Sequence, residues 1–232
     1  MLATAANAAA EGREMANLLE AHAMLKLIEG SYSSFFPKEM DAMFRNRAET
    51  FAGRLGWDVV VSNGYERDRF DDLNPLYLVS VDPETERYRG SLRFLPTTGP
   101  NMLRDVFPQL LEEGEIVESA VIWEVSRICT IGPDGYSGRG ICGVVLRELI
   151  AGIAEVGLIA GLSRIVAVFD ERLLRILKAV RCNPEIIGRP QLIGGTMSFA
   201  ALFGEDLLEG LCDLLAIDGS VLAPGAKELA FA

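Results

Sequence analysis

Hydrophobic positions change period several times along the chain, and each change marks an element. From Ala8 to Lys26 good helix formers dominate, and Leu18, Leu19, His22, Leu25 and Lys26 fall at helical spacing. This predicts a helical lead-in over residues 1–34, frayed at its start. Pro37 opens a second helix through Met40, Met43, Phe44, Ala48 and Phe51 that closes near Gly56. Trp57 to Val61 reads as a strand and Tyr65 to Asp72 as a charged loop. Leu76 to Val81 and Tyr88 to Leu95 read as a hairpin around the Asp82–Thr85 turn. A short helix is expected around Leu103 to Leu111, and the alternation from Val121 to Thr130 predicts a central strand. A loop over Gly132 to Gly140, an apolar helix Ile141–Gly157 and a buried strand Ser163–Phe169 follow. Asp170 caps a helix to Arg181, and a strand-and-helix unit fills residues 186–216. No repeat or linker divides this run. The expectation is a single α/β domain over residues 35–232, a mixed twisted sheet flanked by helices: antiparallel hairpins first, then a βαβ passage.

Charge narrows the function classes. The 232 residues carry 33 Asp plus Glu against 22 Lys plus Arg, a net charge of -11 that repels phosphate and argues against nucleic acid and against an anionic membrane surface. The most apolar stretch, Gly143 to Leu162, is interrupted by Arg147, Glu148 and Glu155, so it predicts a buried helix and no membrane span. The alanine-rich start lacks a basic region and a long apolar run, which predicts no secretory signal and a soluble, cytoplasmic protein. His22 is the single histidine, and Cys129, Cys142, Cys182 and Cys212 form no C-x-x-C pair. A His-based triad, a metal site and a disulfide framework are therefore not expected, and the cysteines read as buried thiols.

Several local patterns carry possible chemistry. Gly138 to Gly143 is a literal G-x-G-x-x-G, but the turn before it is long and the next Asp, Asp170, is too distant for a nicotinamide site. It reads as a glycine-rich helix start. Arg172, Arg175, Lys178 and Arg181 form one helical stripe, either a solvated face or a docking site for an anionic partner. Glu124 and Arg127 place charge inside an apolar strand, where ionised groups are costly unless paired or functional. Regular alternation puts Glu124 with Ser126 and Arg127 opposite; a bulge would bring Glu124 and Arg127 to one cleft.

Taken together, these positions resemble the acyl-homoserine-lactone synthases, the autoinducer synthase family of quorum sensing. Arg47, Phe51 and Trp57 match its first motif, and Asp68 and Asp71 its paired aspartates. Gly90-Ser91-Leu92-Arg93-Phe94-Leu95-Pro96-Thr97 matches its G-x-x-R-x-x-P-T string. Phe107 follows, then Glu124, Ser126 and Arg127 in its Glu-x-Ser-Arg. The resemblance implies an N-acetyltransferase-like α/β fold and two substrates, S-adenosylmethionine and an acyl thioester, with no metal and no cofactor. The S-adenosylmethionine amine attacks the thioester carbonyl. The substrate carboxylate then displaces methylthioadenosine to close the lactone.

The resemblance also assigns roles. Glu124 is the expected base, with Arg127 and Asp71 beside it in the catalytic set. Arg47, Phe51, Trp57, Asp68, Asp71, Arg93 and Phe107 form the expected S-adenosylmethionine side. Ala167 and Phe169 line the expected acyl pocket, and the Arg172, Arg175, Lys178 and Arg181 stripe receives the donor. The stretch Ile165–Phe169 lacks the Thr common in makers of 3-oxo chains, which turns the expectation away from a 3-oxo product. The strong negative charge favours acyl-CoA over the acidic acyl carrier protein. Two other readings share the fold class. An acetyl-CoA N-acetyltransferase needs a pyrophosphate loop that Arg139–Gly143 misses at Cys142; a non-catalytic acyl-thioester binder has no need of Glu124, Asp71 and Arg93 together.

Overall fold

The structure is a computed structural model that describes residues 24–131, 143–179, 182–204 and 220–223. Strand β1 (Met24–Glu29) leads into helix α1 (Pro37–Ala48), which runs on as a π-helical turn, Glu49–Arg54. A small hairpin of β2 (Val61–Ser62) and β3 (Tyr65–Glu66) precedes a 3-10 turn at Arg69–Asp72. Then come β4 (Leu76–Val81), β5 (Tyr88–Pro96), the short helix α2 (Met102–Asp105) and β6 (Ile122–Thr130). Helix α3 (Val144–Ile159), β7 (Arg164–Asp170), α4 (Glu171–Ala179), β8 (Glu185–Ile193) and β9 (Thr196–Gly204) complete the order. Among the described residues, seven strands form one sheet in the order β1-β4-β5-β6-β7-β9-β8. Among these seven strands only β6 and β7 pair in parallel, so the expected antiparallel start and βαβ passage are both present.

Two layers of apolar side chains hold the helices to this sheet. On one face, Leu146, Leu149 and Ala154 of α3 pack with Leu25, Leu78 and Val125. On the other, Met43 of α1 meets Ile28, Tyr77 and Val79. Among the described residues, no helix is long and apolar enough to cross a membrane.

Four expectations need correction or delimitation. Leu25 and Lys26 belong to an edge strand and not to a helix; they pair with Ser80 and Val79 of β4. Helix propensity loses there to tertiary pairing: Leu25 and Leu27 pack into one apolar layer and Ile28 into the other, the alternation of a strand. The strand expected at Trp57–Val61 is reduced to Val61–Ser62, which pairs with β3 across a two-residue hairpin turn at Asn63 and Gly64, φ 53° and 82°. The last unit contains a second hairpin: Gly194 and Gly195, with φ of 56° and 80°, turn β8 into β9. The predicted helix that follows it, the lead-in before Met24, the glycine-rich loop up to Cys142, and Arg181 lie outside the described residues.

The feature that opens the site is in β6. Its pairing with β5 slips between Ser91 and Arg93, and Arg127 sits at φ 55°, a left-handed conformation that non-glycine residues rarely adopt. Pairing of β6 with β7 stops at Val125 and Ala167, whereas β7 stays paired with β9 to Asp170. The two central strands therefore splay beyond Val125.

Gly188 of β8 holds a close approach: it has φ 57°, and a Cβ there would lie 1.9 Å from the Leu110 carbonyl oxygen. Gly188→Ala should lower unfolding free energy by at least about 2 kcal/mol in urea denaturation. Gly114→Ala, at φ 81° with open space around it, should cost about 1 kcal/mol.

Candidate active site

The D-x-x-D spacing has a local cause. Asp68 is the N-cap of the 3-10 turn, where its side chain accepts from the Phe70 amide at 2.9 Å. Asp71 reaches back to accept from the Asp68 amide at 2.8 Å. This reciprocal capping box points both carboxylates toward the sheet. Arg47 from α1 meets Asp71 with both terminal nitrogens, at 2.8 and 2.9 Å, and its Nε donates to Glu66 of β3 at 2.5 Å. Arg93 from β5 donates to Asp68 at 2.6 and 3.0 Å and to Asp71 at 2.8 Å. Arg127 completes the set with Glu66 at 2.8 Å and Asp68 at 2.9 Å. Three guanidinium groups thus balance three carboxylates.

Burial makes this balance obligatory. Arg47 and Arg93 are 1% and 0% exposed, and Glu66 is 1% exposed. An unpaired charge at that depth is strongly destabilising, whereas bidentate guanidinium–carboxylate geometry offsets the desolvation. The Asp71 carboxyl is held well below the usual carboxylate range: burial pushes it up, but Arg47 and Arg93 pull it down further. The Tyr77 hydroxyl donates to the same Asp71 oxygen at 2.8 Å, and burial together with Asp71 raises its pKa. Aromatic rings cover the cations, with Phe51 5.1 Å from the Arg127 guanidinium and Phe70 5.5 Å from that of Arg93. The π-helical turn places Phe51 so that it stacks on Trp57, ring centroids 5.2 Å apart.

Glu124 stands beside this network. Its two carboxylate oxygens accept from the Met102 amide at 3.0 Å and the Leu103 amide at 2.6 Å, at the start of α2. Burial raises its pKa, and the two amides and the nearby arginines only partly reverse the effect. Each oxygen keeps further lone-pair capacity, so the group can still accept a proton. Met102 connects the two parts: its sulfur accepts from Arg93 at 3.3 Å and from Arg127 at 3.4 Å.

A cavity of about 630 Å³ fills the splay between β6 and β7. Glu124, Ser126, Arg127 and Asp68 line its polar part, with Phe51, Trp57 and Phe107 nearby. Ala167, Phe169, Ile153 and Leu177 line its apolar part. The bulge thus brings Glu124 and Arg127 to one cleft, as strand alternation alone forbids. Arg172 lines the cavity too, while Arg175 and Lys178 are exposed on α4. Among the described residues, no group of three His, Cys, Asp or Glu side chains is placed to hold a metal ion.

Of the residues singled out from the sequence, Arg47, Asp68, Asp71, Arg93 and Arg127 converge in one network, and Glu124 lies beside it. Glu66, Tyr77 and Met102 were missed. Charge arithmetic offered a signal for Glu66: three arginines and two aspartates leave one cation without a partner, and Glu66 sits in the same acidic run.

A mixed sheet splayed at a bulged central strand is a fold of the N-acetyltransferase kind. The chain belongs to the autoinducer synthase family, whose model matches residues 32–207. An acyl-homoserine-lactone synthase of Rhizobium radiobacter is 39% identical over 160 residues, covering 68% of this chain and 74% of that protein. One from Agrobacterium fabrum is 37% identical over 177 residues, covering 75% and 81%. Among solved structures, the AHL synthase LasI superposes with a TM-score of 0.68 at 26% identity, covering 82% of this chain and 96% of that one. BjaI, a CoA-dependent acyl-homoserine lactone synthase solved with SAM and isopentyl-CoA, shares the fold with a TM-score of 0.74 at 24% identity, covering 89% and 97%.

The depressed Asp71 carboxyl fixes a pH dependence. It binds fewer protons folded than unfolded, so its stabilisation is complete above its ordinary value of 3.8 and is lost as pH falls further. Urea midpoints should therefore fall progressively as pH drops below about 4, toward the lowered folded-state value. Asp71→Asn should be destabilised at pH 7 by about 3–5 kcal/mol and show a shallower drop; equal slopes in both proteins contradict the assignment.

Proposed function

We propose that this chain is an acyl-homoserine-lactone synthase that joins an acyl group to the amine of S-adenosylmethionine and closes the lactone. The observation that carries this reading is Glu124, a buried carboxylate of raised pKa in a cavity with one charged and one apolar end. The amine attacks the thioester carbonyl carbon, forming the C–N bond, and the C–S bond breaks to release the thiol carrier. The ammonium proton passes to Glu124, whose lifted pKa suits a base working near neutrality. The substrate carboxylate oxygen then attacks its own γ-carbon. The bond to the sulfonium breaks, and neutral methylthioadenosine leaves.

Asp68 lies at the cavity edge and, with the Phe51 and Trp57 rings, suits a cationic sulfonium. The arginines are largely claimed by protein carboxylates. Arg127 is the exception, because among the described residues one of its terminal nitrogens meets only the Met102 sulfur, a weak acceptor. That N–H is the donor best placed for the substrate carboxylate. Arg47, Arg93 and Asp71 act one step back, as the frame that holds Asp68 and Arg127.

The acyl donor is acyl-CoA in this reading. Arg172 borders the cavity, with Arg175 and Lys178 outward on the same helix, and this patch suits phosphate groups. The chain's charge of -11 opposes long-range approach of an acidic carrier protein. Synthesis from soluble thioesters places the reaction in the cytoplasm. BjaI, which is CoA-dependent, provides a parallel.

Purified protein given S-adenosylmethionine and matched acyl groups on coenzyme A and on carrier protein should yield lactone and methylthioadenosine in equal amounts. Acylated product without methylthioadenosine would indicate a plain N-acyltransferase, and no product with either donor a non-catalytic binder. A kcat/KM at least tenfold higher with carrier protein overturns the donor assignment. Glu124→Gln should slow turnover by about 10²- to 10⁴-fold while still binding S-adenosylmethionine. Its amide NH₂ must face the Met102 or Leu103 N–H, so unfolding is measured alongside.

A further inference from the structure

The apolar end of the cavity shows which residue limits the acyl group; this inference rests on the acyl-transfer reading above. Three cross-strand pairs follow one another on the α3-facing side of β7 and β9: Ile165 with Phe203, Ala167 with Ala201, and Phe169 with Phe199. Paired residues share a face, and alternate residues along a strand stand about 6.6–6.8 Å apart. The alanine pair leaves a gap between two bulky pairs. Aromatic rings narrow that gap. The Phe203 ring tilts against Phe169 with centroids 6.1 Å apart, and Phe169 stacks on Phe199 at 6.4 Å.

Register fixes which end of the lobe is shut. β6 and β7 are hydrogen-bonded from Ile122–Arg164 to Val125–Ala167 and part only beyond that point. An acyl group whose carbonyl lies near Glu124 enters through the open splay. Its tail then runs along Ala167 toward the paired end, where Ile165 and Phe203 stand. Phe169 and Phe203 are 6% and 9% exposed, so their rings are already packed and yield little room.

We infer that Phe203 is the specificity-determining residue for the acyl substrate: its ring ends the acyl lobe and selects short or branched acyl groups over long linear ones. Phe169, expected from the sequence to shape the pocket, is the wall against which Phe203 leans. Phe203 has no counterpart in the sequence motifs, because its role comes from the register of β9 against β7.

The test uses the full chain and a series of acyl-CoA donors: butanoyl, 3-methylbutanoyl, hexanoyl, octanoyl and decanoyl. Wild-type kcat/KM should fall steeply from hexanoyl to decanoyl. Phe203→Ala should raise the decanoyl-to-butanoyl ratio at least tenfold and leave the KM for S-adenosylmethionine within twofold. Phe203→Leu, a smaller change in the core, should move the ratio the same way and covers poor folding of the alanine variant. Calorimetric binding of the same donors reads chain-length preference without any chemistry. If wild type binds them in the expected order but turns none over, the proposed reaction fails and the inference stands. An unchanged ratio and unchanged binding order in both folded variants overturns it.

Discussion

Three guanidinium groups withdrawn from water set the conditions for the rest of this structure. Arg47 and Arg93 have essentially no exposure, and the Arg127 side chain retains 7%. Such groups persist in a fold only when charge and hydrogen bonds are met on the spot, and removing one partner of a buried pair costs about 3–5 kcal/mol. Glu66, Asp68 and Asp71 meet that demand. Because the six side chains come from α1, β3, the 3-10 turn, β5 and β6, the network also fixes how those elements stand around the cavity. No single element could hold Asp68 at the cavity edge by itself.

The bulge at Arg127 serves the network and the cavity together. Its left-handed backbone turns the guanidinium toward Glu66 and Asp68, and the same irregularity accompanies the parting of β6 from β7. Strain at one residue is repaid by the ion pairs it permits. Three residues earlier, Glu124 is tied to the amides that open α2, and Met102 links that helix to Arg93 and Arg127. The base and the charged frame are therefore one mechanical unit.

Much of this was legible in the sequence where local rules govern. Leu76–Val81, Tyr88–Leu95 and the strand around Glu124 emerged from alternation and turn chemistry, and family motifs marked five of the six network residues. What stayed hidden depends on tertiary pairing. Leu25 and Lys26 looked helical because propensity is local, whereas their pairing with β4 is not. The Asn63-Gly64 and Gly194-Gly195 turns were passed over although their chemistry signals hairpins. Glu66 carried only an imbalance of charge as its mark. Phe203 carried none, since register across β9 and β7 is set by the sheet as a whole.

The central claim is that the buried network shapes the substrate site from behind, without every member touching ligand. Glu66 tests this most directly: it binds Arg47 and Arg127 yet does not line the cavity. Calorimetry of S-adenosylmethionine binding to Glu66→Gln, with cooperative unfolding verified, gives the measurement. The account predicts at least tenfold weaker binding in a folded protein. Wild-type affinity in that variant contradicts it.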